Sequence, residues 1–217
     1  MDNQTDYYLL LADLKDSTRL DAGPATAAKD IVLDQLSRMN EAHAASIVSP
    51  LELNYGDEFA GLFRKAAPIY PVVRTIGEAL KPYAGFRFAV AYGRIGYAKG
   101  PLTQMGGPVF EVASDTLKQL KKGQNVAEWR LSDPLRSRVL TTMTNAVHAL
   151  VSEMTDYRYD VYRLFRSGLS GVDVAEQLRK DKRSVSSAKI AGHADLVIEL
   201  ESTLMAVLDE EDGLHDT

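Results

Sequence analysis

The chain has 217 residues, 45% of them hydrophobic and 25% charged, which is ordinary globular composition with enough apolar material for a proper core and length for one or two domains. It contains no cysteine, which excludes disulfides and thiolate metal sites and fits a cytoplasmic protein; no apolar run approaches a membrane span, and Met1-Asp2-Asn3-Gln4 lacks a signal peptide's basic start. The net charge of −5 is unevenly spread: from Asp160 to His193 seven Lys/Arg face four acids, whereas Ala194 to Thr217 holds eight acids and no Lys or Arg. A basic segment before an acidic tail suits either a nucleic-acid contact with an electrostatic brake, or a solvated helix with a frayed terminus.

In chain order, the apolar run 7–12 ending at Asp13 predicts a strand buried on both faces. Asp21 and Pro24 are helix start signals, and Ile31, Val32, Leu36, Met39 and Ala42 supply that helix's apolar stripe. Residues 46–53 read as a strand, Asn54-Tyr55-Gly56-Asp57-Glu58 as a tight turn, and Phe59 to Phe63 as the returning strand of a hairpin. A helix is predicted over 68–82, a strand over Phe86 to Tyr92, and a glycine-marked loop through Gly96, Gly100, Gly106 and Gly107. Val109, Val112, Ala113, Thr116, Leu117 and Leu120 give the third helix a clear 3.6-residue period, and Val126 to Leu131 closes as a short strand.

The resulting order, β-α-β-β-α-β-α-β, is the α+β ferredoxin-like or palm arrangement with an added strand. Beyond Ser132-Asp133-Pro134 the pattern is all-helical. Leu135, Val139, Met143, Val147, Leu150 and Met154 mark a long amphipathic helix, with shorter helices at about 158–167, 171–179 and 183–206. The expected organisation is a palm domain over 1–131, a connecting helix over 132–157, and a small all-α module over 158–217.

Asp13 closes the first strand and Asp57 sits at the hairpin tip. In a palm fold both carboxylates emerge at one end of the sheet, where they can hold one or two Mg²⁺ or Mn²⁺ ions that bind phosphate oxygens. Alone, Asp13 also reads as a strand-end or capping residue and Asp57 as turn chemistry. Gly56 suits a sharp turn beside a ligand. Lys15 and Arg94 are candidate triphosphate contacts on charge grounds, against the simpler reading of solvated bases. Asp16 and Glu58 are secondary candidates. Four scattered histidines argue against zinc, and there is no P-loop.

The segment Leu11-Ala12-Asp13-Leu14-Lys15-Asp16-Ser17-Thr18 resembles the first metal motif of class III nucleotide cyclases. Gly56-Asp57-Glu58-Phe59 resembles the hairpin of those cyclases and the end of the diguanylate cyclase signature; Arg94-Ile95-Gly96 and Gly107-Pro108-Val109 follow in the expected order. On these residues the chain is identified as a member of the SatD family, which looks like a compact cyclase-type palm followed by a helix-turn-helix. The resemblance implies a nucleotide or nucleoside triphosphate ligand, with Ser17 and Thr18 beside the phosphates, and a homodimer; Tyr55 reads either as a stacking platform for a base or as a surface or packing tyrosine. Active class III cyclases carry an asparagine and, four residues on, an arginine in the helix after the glycine loop; those places hold Phe110 and Ser114 here. Neither can orient a ribose or stabilise developing charge. A diguanylate-type turn begins with two glycines, and Tyr55 replaces the first.

Ser170 to Leu178 resembles the first helix of a helix-turn-helix, with Ser170 as cap, Val174 and Leu178 inward, and Ala175 allowing a close crossing. Arg183 to Ile190 would be the recognition helix, with Val185 inward and Arg183, Ser184, Ser186, Ser187 and Lys189 outward toward DNA. The turn carries Arg179 and Lys180 where a glycine and an apolar residue are usual, and Ile190, Leu196, Val197, Leu200, Leu204 and Val207 continue as an apolar stripe suited to dimerisation or packing. Three readings stand: a regulator sensing a nucleotide through Asp13 and Asp57, an active nucleotidyl cyclase using the same pair, and an interaction scaffold.

Overall fold

The computed structural model describes residues 6–15, 22–54, 56–96 and 100–215. The first unit comprises residues 1–141 with 207–217. Its strands are β1 (Asp6–Leu14), β2 (Ile47–Asn54), β3 (Glu58–Phe63), β4 (Phe86–Arg94) and β5 (Ala127–Arg130), in spatial order β2-β3-β1-β4-β5. All neighbours are antiparallel except β4 and β5, which run parallel. That is the expected palm core with one strand added by a helical crossover.

The pleat sorts the side chains of β1 to two faces. Leu9, Leu11 and Asp13 share one face with Leu62, Ala60 and Glu58 on β3, and with Ala91, Ala89 and Arg87 on β4. Helix α3 (Pro108–Leu120) covers this face: Val109 and Ala113 pack with Leu9, Ala60, Leu62 and Ala91, and Leu117 and Leu120 with Ala89. Val112, expected on the stripe, is 44% exposed, because the face that meets the sheet is the narrower one carried by Val109, Ala113, Thr116, Leu117 and Leu120. The other face of β1 carries Tyr8, Leu10, Ala12 and Leu14, all buried. Helices α1 (Ala22–Ala42) and α2 (Ile69–Leu80) pack together, and α2 passes so close to Phe86 that a Cβ at Gly77 would touch its ring.

Helix α4 (Pro134–Ser152) starts in this unit, capped by Asp133, whose carboxylate accepts from Leu135 and Arg136 N–H. In its first turns the buried residues are Ser137, Leu140 and Thr144 rather than the expected Leu135, Val139 and Met143, and Leu135 is 61% exposed, whereas Val147 and Met154 of the expected stripe are buried. The physical reason is that the helix docks through polar anchors the apolar pattern does not register: Ser137 Oγ takes Leu131 N–H and Thr141 Oγ1 takes Trp129 N–H, tying α4 to the end of β5.

The second unit, residues 142–206, is helical. It contains the rest of α4, then α5 (Asp156–Arg166), α6 (Gly171–Gln177), α7 (Lys182–Ala191) and the start of α8 (Ala194–His215). Val161, Leu164, Val174, Ala175, Val185 and Ala188 form the core of the α5-α6-α7 trio. Ser170 caps α6 in a reciprocal capping box with Asp173, and Asp181 caps α7 by accepting from Ser184 N–H. Arg179 takes φ 52°, so an arginine supplies the left-handed turn for which glycine is usual.

The expected continuous helix over 183–206 is interrupted. Gly192 ends α7, His193 takes φ 50°, and α8 restarts at Ala194. A Cβ at Gly192 would lie 3.3 Å from Arg158 Cβ, so the chain turns where α5 passes close by. The apolar stripe is broken with it: Val197 and Leu204 are buried, whereas Ile190 is 73% exposed.

The acidic segment is helical through His215. Helix α8 continues to His215, its last turns belong with the first unit, and Glu211 and Asp212 are buried there. The 158–217 boundary drawn from the sequence therefore separates residues 207–217 from the unit in which they pack.

Candidate functional site at the carboxylate end of β1

Asp13 is the penultimate residue of β1 and faces the α3 side of the sheet. Its neighbours across the strands are Glu58 on β3 and Arg87 on β4, so three charged side chains stand in a row on one face. The hairpin tip is fastened beside them: Leu14 N–H donates to Asp57 O at 3.1 Å, and Lys15 N–H to Gly85 O at 2.8 Å. Gly56 takes φ +82° with no atom within 4 Å of a would-be Cβ, so it is the turn geometry and not crowding that calls for glycine.

The fourth group arrives from α3. Lys121, which caps that helix, places Nζ 2.7 Å from Asp13 Oδ1 and 3.0 Å from Glu58 Oε1. The carbonyl end of a helix favours a cation, so the ammonium is attracted by the helix terminus as well as by the two carboxylates. Asp13 is only 7% exposed. Burial pushes its carboxyl above the usual carboxylate range, with Lys121 opposing and the charges of Asp57 and Glu58 adding to the rise. Lys121 is itself held above the ordinary lysine range: its partial burial works against the charge, and Asp13 and Glu58 outweigh it. Arg87 completes the site with a buried Nε that has no hydrogen-bond partner among the described residues.

The sequence-derived candidates divide cleanly. Asp13, Asp57, Gly56 and Lys15 come to the same end of the sheet. Arg94 does not. It pairs in register with Asp6 and bridges to Asp6 Oδ1 at 3.7 Å, seven residues along β4 from Arg87, or about 23 Å away. Arg94, a candidate triphosphate contact on charge grounds, thus stands at the other end of β4 from Asp13, because β1 and β4 run antiparallel. Asp16, Ser17, Thr18 and Tyr55 lie outside the described residues. Phe110 and Ser114 sit on α3 with Glu111, Asp115 and Lys118 around an open cleft. Along the helix they lie about 16 Å and about 10 Å from Lys121.

Two groups were missed. Arg87 is the polar residue of the alternating Phe86-Arg87-Phe88, and its facing could be found only by fixing the register with β1. Lys121 follows the last apolar residue of the periodic helix, so the sequence showed it only as one of two lysines after Leu120.

Asp13, Asp57 and Glu58 offer hard oxygens of the kind Mg²⁺ and Mn²⁺ prefer, so the donor chemistry fits a divalent ion. Among the described residues, however, no group of three or more acids or histidines is gathered in metal-holding geometry, and the cation that holds Asp13 and Glu58 together is Lys121.

In the helical unit, α7 turns Arg183, Ser186 and Ser187 outward. The other two DNA candidates are engaged internally. Ser184 Oγ lies 3.1 Å from Tyr157 OH, and Lys189 pairs with Asp195 at 2.7 Å while its ammonium sits over the Phe165 ring. The outward assignment of Lys189 is corrected accordingly: α8's restart brings Asp195 back onto α7.

The SatD family matches residues 7–169 of the sequence, three quarters of the chain. The chain belongs to the SatD family. Residues 170–217, with α6 and α7, lie beyond the matched segment. No curated protein matches the sequence. Solved structures similar to this SatD-family chain include a bacterial light-regulated adenylyl cyclase, 13% identical over 58% of this chain and 76% of that one, with a TM-score of 0.44. The guanylyl cyclase domain of the RhoGC fusion protein from the aquatic fungus Blastocladiella emersonii is 12% identical over 52% and 74%, at 0.42. The guanylyl cyclase Cya2 is 11% identical over 54% and 71%, at 0.39. The palm assignment rests on this chain's own strand order and register. Among the described residues no helix is long and apolar enough to cross a membrane.

Proposed function

We propose that the palm unit binds a nucleotide through its phosphates together with Mg²⁺ at the Asp13 end of β1, and that the protein is a nucleotide-responsive regulator whose α6–α7 pair contacts DNA. The observation that carries the reading is the row Glu58-Asp13-Arg87 with Lys121 above it. A buried guanidinium nitrogen without a hydrogen-bond partner among the described residues, at an edge where a lysine already bridges two acids, favours an anion next to an acidic pair. Arg87 and Lys121 would hold phosphate oxygens, while Asp13 and Asp57 would hold the metal, which supplies neutralisation of phosphate charge when bound. Phe110 and Ser114 offer neither an amide nor a positive charge, which favours binding over turnover.

Thermal unfolding with each nucleoside triphosphate plus Mg²⁺ or Mn²⁺, combined with product analysis, tests this. The expected result is stabilisation by at least one nucleotide, lost in Asp13→Ala and Asp57→Ala, with no product. Formation of a cyclic or linked nucleotide by the wild type would make the protein an enzyme; no shift with any nucleotide would leave a scaffold.

On α7, Arg183, Ser186 and Ser187 suit phosphate and base-edge contacts. DNA affinity should fall steeply with salt, as released counterions require, and Arg183→Ala should flatten that slope by about one. Salt-independent binding would overturn the DNA role. Val172 and Ile190, large and exposed on the same helix pair, support the alternative use of α6–α7 in pairing two subunits, which light scattering would reveal as a homodimer.

A further inference from the structure

Lys121 occupies the space between two acids from different strands, and it is the only described side chain bridging both of them. Resting on the metal-and-nucleotide reading above, we propose that Lys121 is a built-in counter-cation that keeps the carboxylate edge closed to divalent metal until an anionic phosphate draws it away, so that metal binding depends on nucleotide.

The geometry supports this in three ways. Lys121 Nζ takes Asp13 Oδ1 and Glu58 Oε1 at ordinary ion-pair distances, so a metal on Asp13 or Glu58 must compete for oxygens already in use. A divalent ion placed beside an unmoved ammonium would be repelled by it, in a setting where burial of Asp13 weakens solvent screening. The ammonium is also free to leave. Its side chain is 38% exposed, it is carried on a flexible four-carbon stem, and it stands one residue past the end of α3. The other charges at this edge agree with the direction of movement. Arg87 adds positive charge beside Asp13, Lys15 follows β1, and Asp57 adds negative charge at the hairpin tip, so a phosphate arriving there meets two further cations besides Lys121. The next lysine back along α3, Lys118, is bound to Asp115 at 3.0 Å and does not substitute for it.

The test measures Mn²⁺ binding to the full chain by loss of the free-ion paramagnetic resonance signal, first without nucleotide and then with non-hydrolysable ATP and GTP analogues. Wild type and Lys121→Arg, which keeps the positive charge, should hold Mn²⁺ weakly alone. Lys121→Met should bind it about tenfold more tightly without nucleotide, and Asp13→Asn in that background should abolish the gain. A binding analogue should raise the wild-type Mn²⁺ affinity to that of Lys121→Met, while the variant responds little. Circular dichroism confirms folding in each case. Wild type binding Mn²⁺ alone as tightly as Lys121→Met overturns the proposal and leaves the metal-nucleotide site standing, as does an analogue that binds without changing wild-type Mn²⁺ affinity. If no protein retains Mn²⁺ with or without an analogue, the metal reading itself falls.

Discussion

Near the start of β1, Tyr8 donates to Glu211 Oε1 at 3.3 Å, Arg136 approaches Glu211 Oε2 at 3.2 Å, and His215 Nε2 lies 3.3 Å from the same carboxylate. Asp212 beside it accepts the backbone N–H groups of Ala66 and Ala67 at 2.5 and 3.0 Å. Near the other end of the same strand, Asp13 and Glu58 share one half-exposed lysine. Both ends bury acids, but the first surrounds each oxygen with donors that are themselves fixed, while the second relies on a single movable cation. The first arrangement locks the end of α8 to the sheet. The second leaves a carboxylate pair bridged by one cation. Buried charge is therefore held by a fixed network at one end of β1 and by a single partly exposed lysine at the other.

The largest effect is expected from Glu211→Ala. It strands Arg136 and the Tyr8 hydroxyl, which burial and the neighbouring acids already hold far above the usual tyrosine range. We expect a loss of about 3 kcal/mol, a fall in Tm on the order of 8 °C, in thermal unfolding. Asp13→Ala in the same assay should change stability by less than about 1 kcal/mol, because Lys121 keeps Glu58 and water. Equal losses at the two sites would dissolve the distinction.

Asp212→Ala should follow, at about 2 kcal/mol by urea titration, since two backbone N–H groups lose their acceptor. The pH dependence sharpens the contrast further. Burial raises the folded-state Asp13 carboxyl above its ordinary 3.8, so its contribution to stability is fully present below that value and is lost as pH rises through the raised one. Asp13→Asn should therefore gain on wild type as pH climbs from about 4 to about 7 in paired denaturant titrations. A constant difference across that range would contradict the raised carboxyl.

The smallest effect serves as a control away from both ends. Ser170→Ala removes the α6 capping box and should cost about 1 kcal/mol while leaving any nucleotide-induced shift intact. The Asp173 carboxyl is held below the usual range by the Ser170 hydroxyl and N–H, so this cap persists above the ordinary carboxylate pKa and fails as pH falls through the lowered one. Helicity followed by circular dichroism in the variant should lose that acid transition.

Much of the fold was legible because it is written in local periods. The continuous run before Asp13, the Asn54–Glu58 turn, the 3.6-residue repeat from Val109 and the cap Ser170 each report on a few consecutive residues, and the order of elements follows from them. The nearness of Asp57 to the end of the first strand, where Leu14 N–H meets its carbonyl, follows once the hairpin is placed beside that strand. Misplaced features all depended on distant neighbours. The first turns of α4 are set by hydroxyl anchors to β5, the α7–α8 break lies where Arg158 passes close to Gly192, and antiparallel register fixes the place of Arg94.

The sequence by itself determined the palm order, the helical second half and the acids at the strand end, since these follow from short-range pattern and residue chemistry. Only the tertiary structure decided which groups answer those acids. Lys121 reaches Asp13 from the end of the helix that connects β4 to β5, and Glu211 meets Tyr8 across 203 positions of chain. Charge pairing depends on distances in space, and no local period records which distant cation or hydroxyl the fold will bring within reach of a carboxylate.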